Sequence, residues 1–469
     1  MAGTRRSQTQ SVLAWEDDPG APAEGLTPVP RPAPQLTKRR LPLAIRGTAP
    51  AVGSYQPGSR RFRYWAAAEA LRRGADLWAG LLPTGFTWYP TNGGRLPIKL
   101  DEGEDLNAYY DRKGLHFFHA TAGGRVVYSG ESPNVSCHEL GHAILDALRP
   151  QLWDVASVEA AALHESFGDV SALLSALQLP SFRQTVLTET NGKLYRASRL
   201  SRLAEQLGWA IRQSRPDLVD ADCLRNAVNS LFYRDPATLP PDGPAGALSS
   251  EPHSFSRVFT AGFFQSLAGM YALQGSGGEE LLAATSLDAG RLLVAAIRDS
   301  PIVPGYYSQV AAHMIEADAQ LFGGRYRDAL QSGFVRHGVL SLQSAVAVAQ
   351  PAAAAPRRER GARLPLVALA GAKYGLTEDL LVQGASEPAR FSVGSAAPDE
   401  GAVVSQAHDR AAATFVEDLL RRGKIDLTTV DIGAAAIVNP LTRKTHELRR
   451  DEDGVCLVRR LFDCGFDAG

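Results

Sequence analysis

The stretch SPNVSCHELGHAILDALRP, Ser132 to Pro150, decides the reading of this chain. Ser132 can cap the free N–H groups of a helix, and Pro133 suits its first turn. Arg149-Pro150 is a stop, because the residue before a proline avoids helical backbone. His138 and His142 then lie mid-helix at i and i+4, on one face. Two imidazole nitrogens so placed can reach one zinc ion at about 2.0–2.1 Å. Glu139, one residue round from the first histidine, can accept a proton from a zinc-activated water without being a ligand itself.

In a chain with ten histidines the bare pattern is specific but not sufficient. A zinc site needs a third protein ligand, and AALHESFGDVSALL (161–174) offers one. Glu165 and Asp169 stand i, i+4 on the next expected helix. Glu165 completes a His2Glu set with the fourth position open. Asp169 is placed to hold the second N–H of a ligand histidine and fix its tautomer. A solvated charged face fits poorly with the flanking Ala, Leu, Phe and Val. His164 adjoins Glu165, but adjacent helical residues point about 100° apart, so it is expected beside the ligands rather than among them.

Outward from this centre the chain divides. Residues 1–40 carry PGAPAEGLTPVPRPAP, with six prolines from Pro19 to Pro34, and are expected to be disordered. Residues 41–344 alternate strand-like and helical stretches. YWAAAEALRRGADLWAGL (64–81) has helical spacing, whereas RLPIKL and GRVVYSG look like short strands. Residues 345–365 are Ala/Pro-rich, then basic, and read as a linker. Residues 366–469 read as a small α/β domain, with DRAAATFVEDLLRRG a helix and KTHELRRDEDGVCLVRRLF two strands around an Asp-Glu-Asp-Gly turn. No metal or nucleotide motif is visible in that tail, and the chain holds no internal repeat.

The 469-residue length favours two domains over one core. With 45% hydrophobic and 21% charged residues the composition is ordinary, and a net charge of −1 gives no reason to expect nucleic acid or an anionic membrane. No apolar run is long enough for a membrane span. The scattered cysteines (137, 223, 456 and 464) and the lack of an apolar stretch behind the N-terminal arginines point to a reducing, cytoplasmic setting, with non-standard export left open.

His138-Glu139-x-x-His142 followed by Glu165-x-x-x-Asp169 resembles the thermolysin-like zinc metallopeptidases of the gluzincin group. The spacing of 27 from His138 to Glu165 implies a short insertion between the helices. The metzincin pattern is ruled out by Leu145 and Leu148. The resemblance runs from about Arg61 to Leu342 and implies an α+β fold: a two-lobed zincin domain, one lobe of mixed sheet and one helical, followed here by the small α/β domain. Asp146 falls where the family has an aspartate near the ligands. LNAYYDRKG resembles the family's substrate-binding edge strand, giving Asn107, Ala108 and Tyr109 that role by strand addition. EPHSFSRVFTAGFF resembles the segment whose histidine, here His253, serves the oxyanion. Arg225 resembles the arginine that binds the substrate carbonyl. Trp153 stands where the family has a tyrosine and offers only an indole N–H. Leu248 replaces the aspartate that orients the catalytic histidine, with Glu251 the nearest carboxylate. Asn134 and Ala176 occupy acidic calcium-ligand positions, so no calcium is expected.

The resemblance therefore implies a zinc endopeptidase with one zinc per chain and a peptide or protein substrate, in which Glu139 and His253 are catalytic. The alternative is a metal-binding scaffold of weak or no turnover. The tail is expected either to recruit a protein partner or to make an autoinhibitory contact.

Overall fold

Local signals set the main helices of the computed structural model, which describes residues 10–20, 25–275, 277–348, 364–396, 403–404, 407–430 and 443–465. Helix α1 (Arg60–Leu81) starts where the Ser59 hydroxyl accepts from Phe62 N, and α2 (Pro133–Leu148) where Ser132 accepts from Val135 N. Helix α3 (Val158–Ala176) is capped by Ser157 and is buried along nearly its whole length. It is the central helix of the molecule, so a polar side chain on it that finds no partner inside is costly. Around it pack α4 (Pro180–Thr190), α5 (Glu205–Arg212), α6 (Pro252–Leu273), α7 (Gly278–Asp299), α8 (Tyr306–Phe322), α9 (Arg327–Arg336) and α10 (Leu342–Val348).

The strands begin with β1 (Ser11–Ala14) and β2 (Val29–Pro32), an antiparallel pair. Strands β3 (Leu43–Ile45), β4 (Leu96–Lys99), β5 (Ala108–Tyr110) and β6 (Leu115–Phe117) belong to a mixed sheet. Beyond them come the pairs β7 (His119–Ala122) with β8 (Arg125–Tyr128), and β9 (Arg202–Leu203) with β10 (Arg225–Asn226). The tail contributes β11 (Leu366–Leu369), β12 (Leu380–Gln383), β13 (Ser395–Ala396), β14 (Val403–Val404), helix α11 (His408–Arg421), β15 (Ile425–Asp426), β16 (His446–Arg450), β17 (Val455–Arg459) and β18 (Phe462–Asp463).

Two five-stranded sheets result, ordered β18-β5-β6-β4-β3 and β11-β12-β17-β16-β15. The architecture is mixed α and β, with the first sheet on one side of α2 and the helices on the other. The expected hairpin around Asp451–Gly454 is present, with Arg450 paired to Val455.

Three expectations about organisation are corrected. The proline-rich start is not disordered where it is described. Val12 and Ala14 point inward, Trp15 packs edge-on against Phe62 at 5.7 Å, and Asp18 accepts a hydrogen bond from the Ser132 hydroxyl. Prolines are tolerated because β2 is an edge strand with only one partner; residues 1–9 and 21–24 lie outside the described residues. The boundary at 344 falls inside α10, and 349–363, most of the expected linker, lie outside the described residues. Nor is the tail self-contained: its sheet borders the first domain where Ala156 N donates to Gln383 O, and β18 leaves that sheet to join the other.

Candidate metal centre

Helices α2 and α3 are brought together by two glycines. A Cβ on Gly141 would stand 2.9 Å from Gly168 Cα, and one on Gly168 would stand 2.6 Å from the His138 ring. This closeness lets α3 present Glu165 to both histidines of α2. His138 Nε2 lies 3.3 Å and His142 Nε2 3.7 Å from Glu165 Oε2. The two imidazole rings stand almost perpendicular, 4.8 Å apart.

A fourth donor is Cys464, 322 residues from His142 in sequence. Its Sγ lies 3.7 Å from His142 Nε2 and 4.0 Å from Glu165 Oε2. One ligand atom from each of His138, His142, Glu165 and Cys464 falls within 4.8 Å of the others, and all four residues are buried. Donors about 2.0–2.3 Å from one tetrahedral ion stand roughly 3.3–3.8 Å apart, so the distances from Glu165 to both histidines and from Cys464 to His142 suit a metal of zinc's size, while the widest separations in the set would have to tighten around it. The donor set, two imidazoles with a carboxylate and a thiol, suits zinc among the common divalent ions.

Around the donors the polar groups interlock. Asp169 accepts from His138 Nδ1 at 3.1 Å, in the position expected from sequence, and Arg225 binds the same carboxylate at 2.7 Å. Burial works against the Asp169 charge, but Arg225 and His138 outweigh it and hold the group at about 2. Burial likewise opposes the charge of Glu165, yet His253, His142 and His138 keep it well below the usual carboxylate range. Arg225 retains one buried nitrogen, Nη1, with no hydrogen bond. Beside it is a narrow recess walled by Val135, Leu203, Leu207 and Leu224, into which Cys464 also projects.

Glu139 is fully buried, and neither of its oxygens finds a hydrogen-bond partner of good geometry among the described residues. The Cys464 thiol is its close polar neighbour. Burial pushes the carboxyl up to about 7, against the pull of His138 and the thiol. His253, on the first turn of α6, reaches Glu165 Oε2 at 3.1 Å and Glu251 Oε1 at 2.8 Å. Glu251 thus supplies the orienting carboxylate that Leu248 cannot. It also caps α6 by accepting from Ser254 N.

Other expected residues take different places. Trp153 is no oxyanion donor here: its indole N–H donates to Arg459 O at 3.1 Å, and its ring meets Tyr110 and Phe462 edge-on. Asp146 touches no metal donor and instead ties α2 to the first sheet, accepting from Tyr110 Oη and Arg112. His164 lies beside the donors, its ring stacked on Phe462 at 4.0 Å and 5.7 Å from the ring of His142. Asn107, Ala108 and Tyr109 do line the edge of the first sheet next to the donors, but β18 covers that edge. The expected absence of any metal motif in the tail is corrected by Cys464. The single sign of it in sequence is an isolated Phe-Asp-Cys-Gly, which has no spacing relation to HELGH. No family model matches this chain, and no curated protein does.

Proposed function

We propose that the chain is a zinc-dependent metalloendopeptidase, with His138, His142 and Glu165 as the protein ligands of its working site. The observation that carries this reading is Glu139. A carboxyl wholly buried at the edge of the donor set, with only the weak contact of the Cys464 thiol as a polar partner, is costly and adds nothing to a purely structural metal site. It is suited to taking a proton from an attacking water and passing it to the leaving amine. When bound, zinc supplies Lewis acidity toward the water and the scissile carbonyl.

The remaining residues bind, orient and donate. His253 is held by Glu251 so that its other nitrogen points at the reaction centre, where it can donate to a developing oxyanion. Arg225, fixed by Asp169, has Nη1 left to donate to a substrate carbonyl. Asn107 and the backbone of Ala108–Tyr110 form an edge to which an extended peptide adds as a strand. The apolar recess beside Arg225 takes a hydrophobic side chain of that peptide.

The second reading, a scaffold around a structural metal, is favoured by the four-donor set, since structural zinc sites are closed. Two zinc-loaded proteins separate them: Cys464→Ser, and the double variant that adds Glu139→Gln. The proposal expects the first to cleave peptides and the second to keep its zinc while losing most of that activity. Equal activity in both removes Glu139 from the chemistry.

A further inference from the structure

We infer that the segment Phe462–Gly465 is a built-in inhibitor of the centre: it occupies the peptide-binding edge as a strand and places Cys464 on the metal as the fourth ligand. The inference rests on the metallopeptidase reading above and deepens it.

Two independent features of the structure converge on the same segment. The first is backbone pairing. Strand β18 runs antiparallel to β5, with Phe462 opposite Tyr110 and Asp463 opposite Tyr109, and Cys464 N donates to Ala108 O at 3.0 Å. These are the groups that strand addition by a peptide would use, so segment and substrate exclude each other. The second is donor chemistry. Sγ of Cys464 stands at ligand spacing from both His142 and Glu165, and the thiol lies against Glu139, where an attacking water would have to be. Metal coordination requires the thiolate, so the S–H proton leaves to solvent as the metal–sulfur bond forms. No other co-reactant is needed.

Side chains fasten the segment. Asp463 accepts from Asn107 Nδ2 at 2.7 Å and pairs with Lys424 and Arg443. Phe462 stacks on His164 and lies 4.9 Å from the His142 ring, with the Arg459 guanidinium 4.2 Å above its centre. Gly465 passes so close to Asn107 that a Cβ would stand 2.3 Å from that amide carbon. The asparagine that would hold a substrate is thereby engaged by the chain itself.

The test uses the full chain loaded with cobalt(II) as a spectroscopic stand-in, together with Cys464→Ser and Asp463→Ala. Asp463→Ala keeps the thiol but cuts its anchorage, and so covers the case in which the serine variant fails to fold. The wild-type protein should show a sulfur-to-cobalt charge-transfer band that Cys464→Ser lacks at equal cobalt content. Iodoacetamide should alkylate Cys464 only after the metal is chelated, and faster in Asp463→Ala. With zinc restored, both variants should cleave peptides roughly tenfold or more faster than wild type, since activity scales with the fraction of open centres. A charge-transfer band that persists in Cys464→Ser overturns the ligand assignment. Wild type as active as Cys464→Ser, both dependent on Glu139, overturns the inhibitory role and leaves the peptidase standing. A band with no Glu139-dependent cleavage in either variant overturns both and identifies a structural metal site.

Discussion

At His253 one imidazole is shared by two carboxylates, Glu251 on one nitrogen and Glu165 on the other. Burial disfavours its charged form, but Glu165 and Glu251 together raise it to about 10. With no metal on Glu165 the ring is therefore a donor throughout the neutral range. A donor aimed at charge that appears only in the transition state acts on kcat. His253→Ala, made in the Cys464→Ser chain, should lower kcat by roughly 10²–10³ with little change in KM; steady-state kinetics on one peptide check this. If KM rises while kcat holds, the ring binds substrate instead. His142→Ala and Glu165→Ala should each lose much of their zinc, because one corner of the four-donor set that encloses the ion is then missing. Metal analysis after dialysis measures it, and full occupancy in either variant removes that residue from the ligand set.

Helix α3 sets the geometry of the centre through the glycine contact with α2. A methyl on Gly168 meets three atoms of the His138 ring at 2.6–2.8 Å, so the imidazole must move or the helices part. Gly168→Ala should cost about 1–3 kcal/mol of stability, as overpacking usually does, and weaken metal binding as well. Thermal unfolding and competition with a chelating dye read the two effects separately. The N-terminal turn of α3 carries a different strain. Glu159, 1% exposed, accepts from Tyr233 Oη at 2.6 Å and Tyr307 N at 2.7 Å, yet burial outweighs these bonds and raises it to about 7. Its ordinary value is 4.5, so between 4.5 and 7 the folded chain binds the proton that the unfolded chain has released. The favourable contribution is complete below the unfolded value and is lost as pH rises through the folded one. Glu159→Gln, whose amide can serve both partners, should therefore raise the melting temperature relative to wild type more at pH 8 than at pH 5. The gap corresponds to about 2–3 kcal/mol. A difference independent of pH would mean that Glu159 stays ionised in the fold.

Across the whole molecule the tail is joined to the preceding domain at several places. Gln383 O accepts from Ala156 N, Glu387 meets Arg149 and the backbone of Ile302, Gly394 bonds to Ser341 and Ser344, and Arg459 brackets Trp153. Cutting the chain after Leu342 thus uncovers Trp153, 2% exposed in the intact protein, together with the His142 and His164 rings. Such a fragment should be less soluble and more easily proteolysed than the full chain, a comparison that limited trypsin digestion makes directly. A fragment as resistant as the full chain would mean that these contacts contribute little. No described helix is long and apolar enough to cross a membrane.

The sequence by itself determined the centre's local half. The capped helix, the i and i+4 histidines, Glu139 between them and the Glu165–Asp169 pair on the next helix all follow from helical periodicity, which is read from neighbours along the chain. The helix around Phe415 and the Asp451–Gly454 turn were legible for the same reason. Only the tertiary structure decided what reaches the donors from far away: Glu251 taking the part of an orienting carboxylate, Trp153 turned to Arg459, the proline-rich start folded onto α1, and Cys464 brought to His142. Strand pairing and donor convergence over hundreds of residues depend on how sheets are ordered in space. No local period records that order, so a lone cysteine in Phe-Asp-Cys-Gly stays silent until the chain folds.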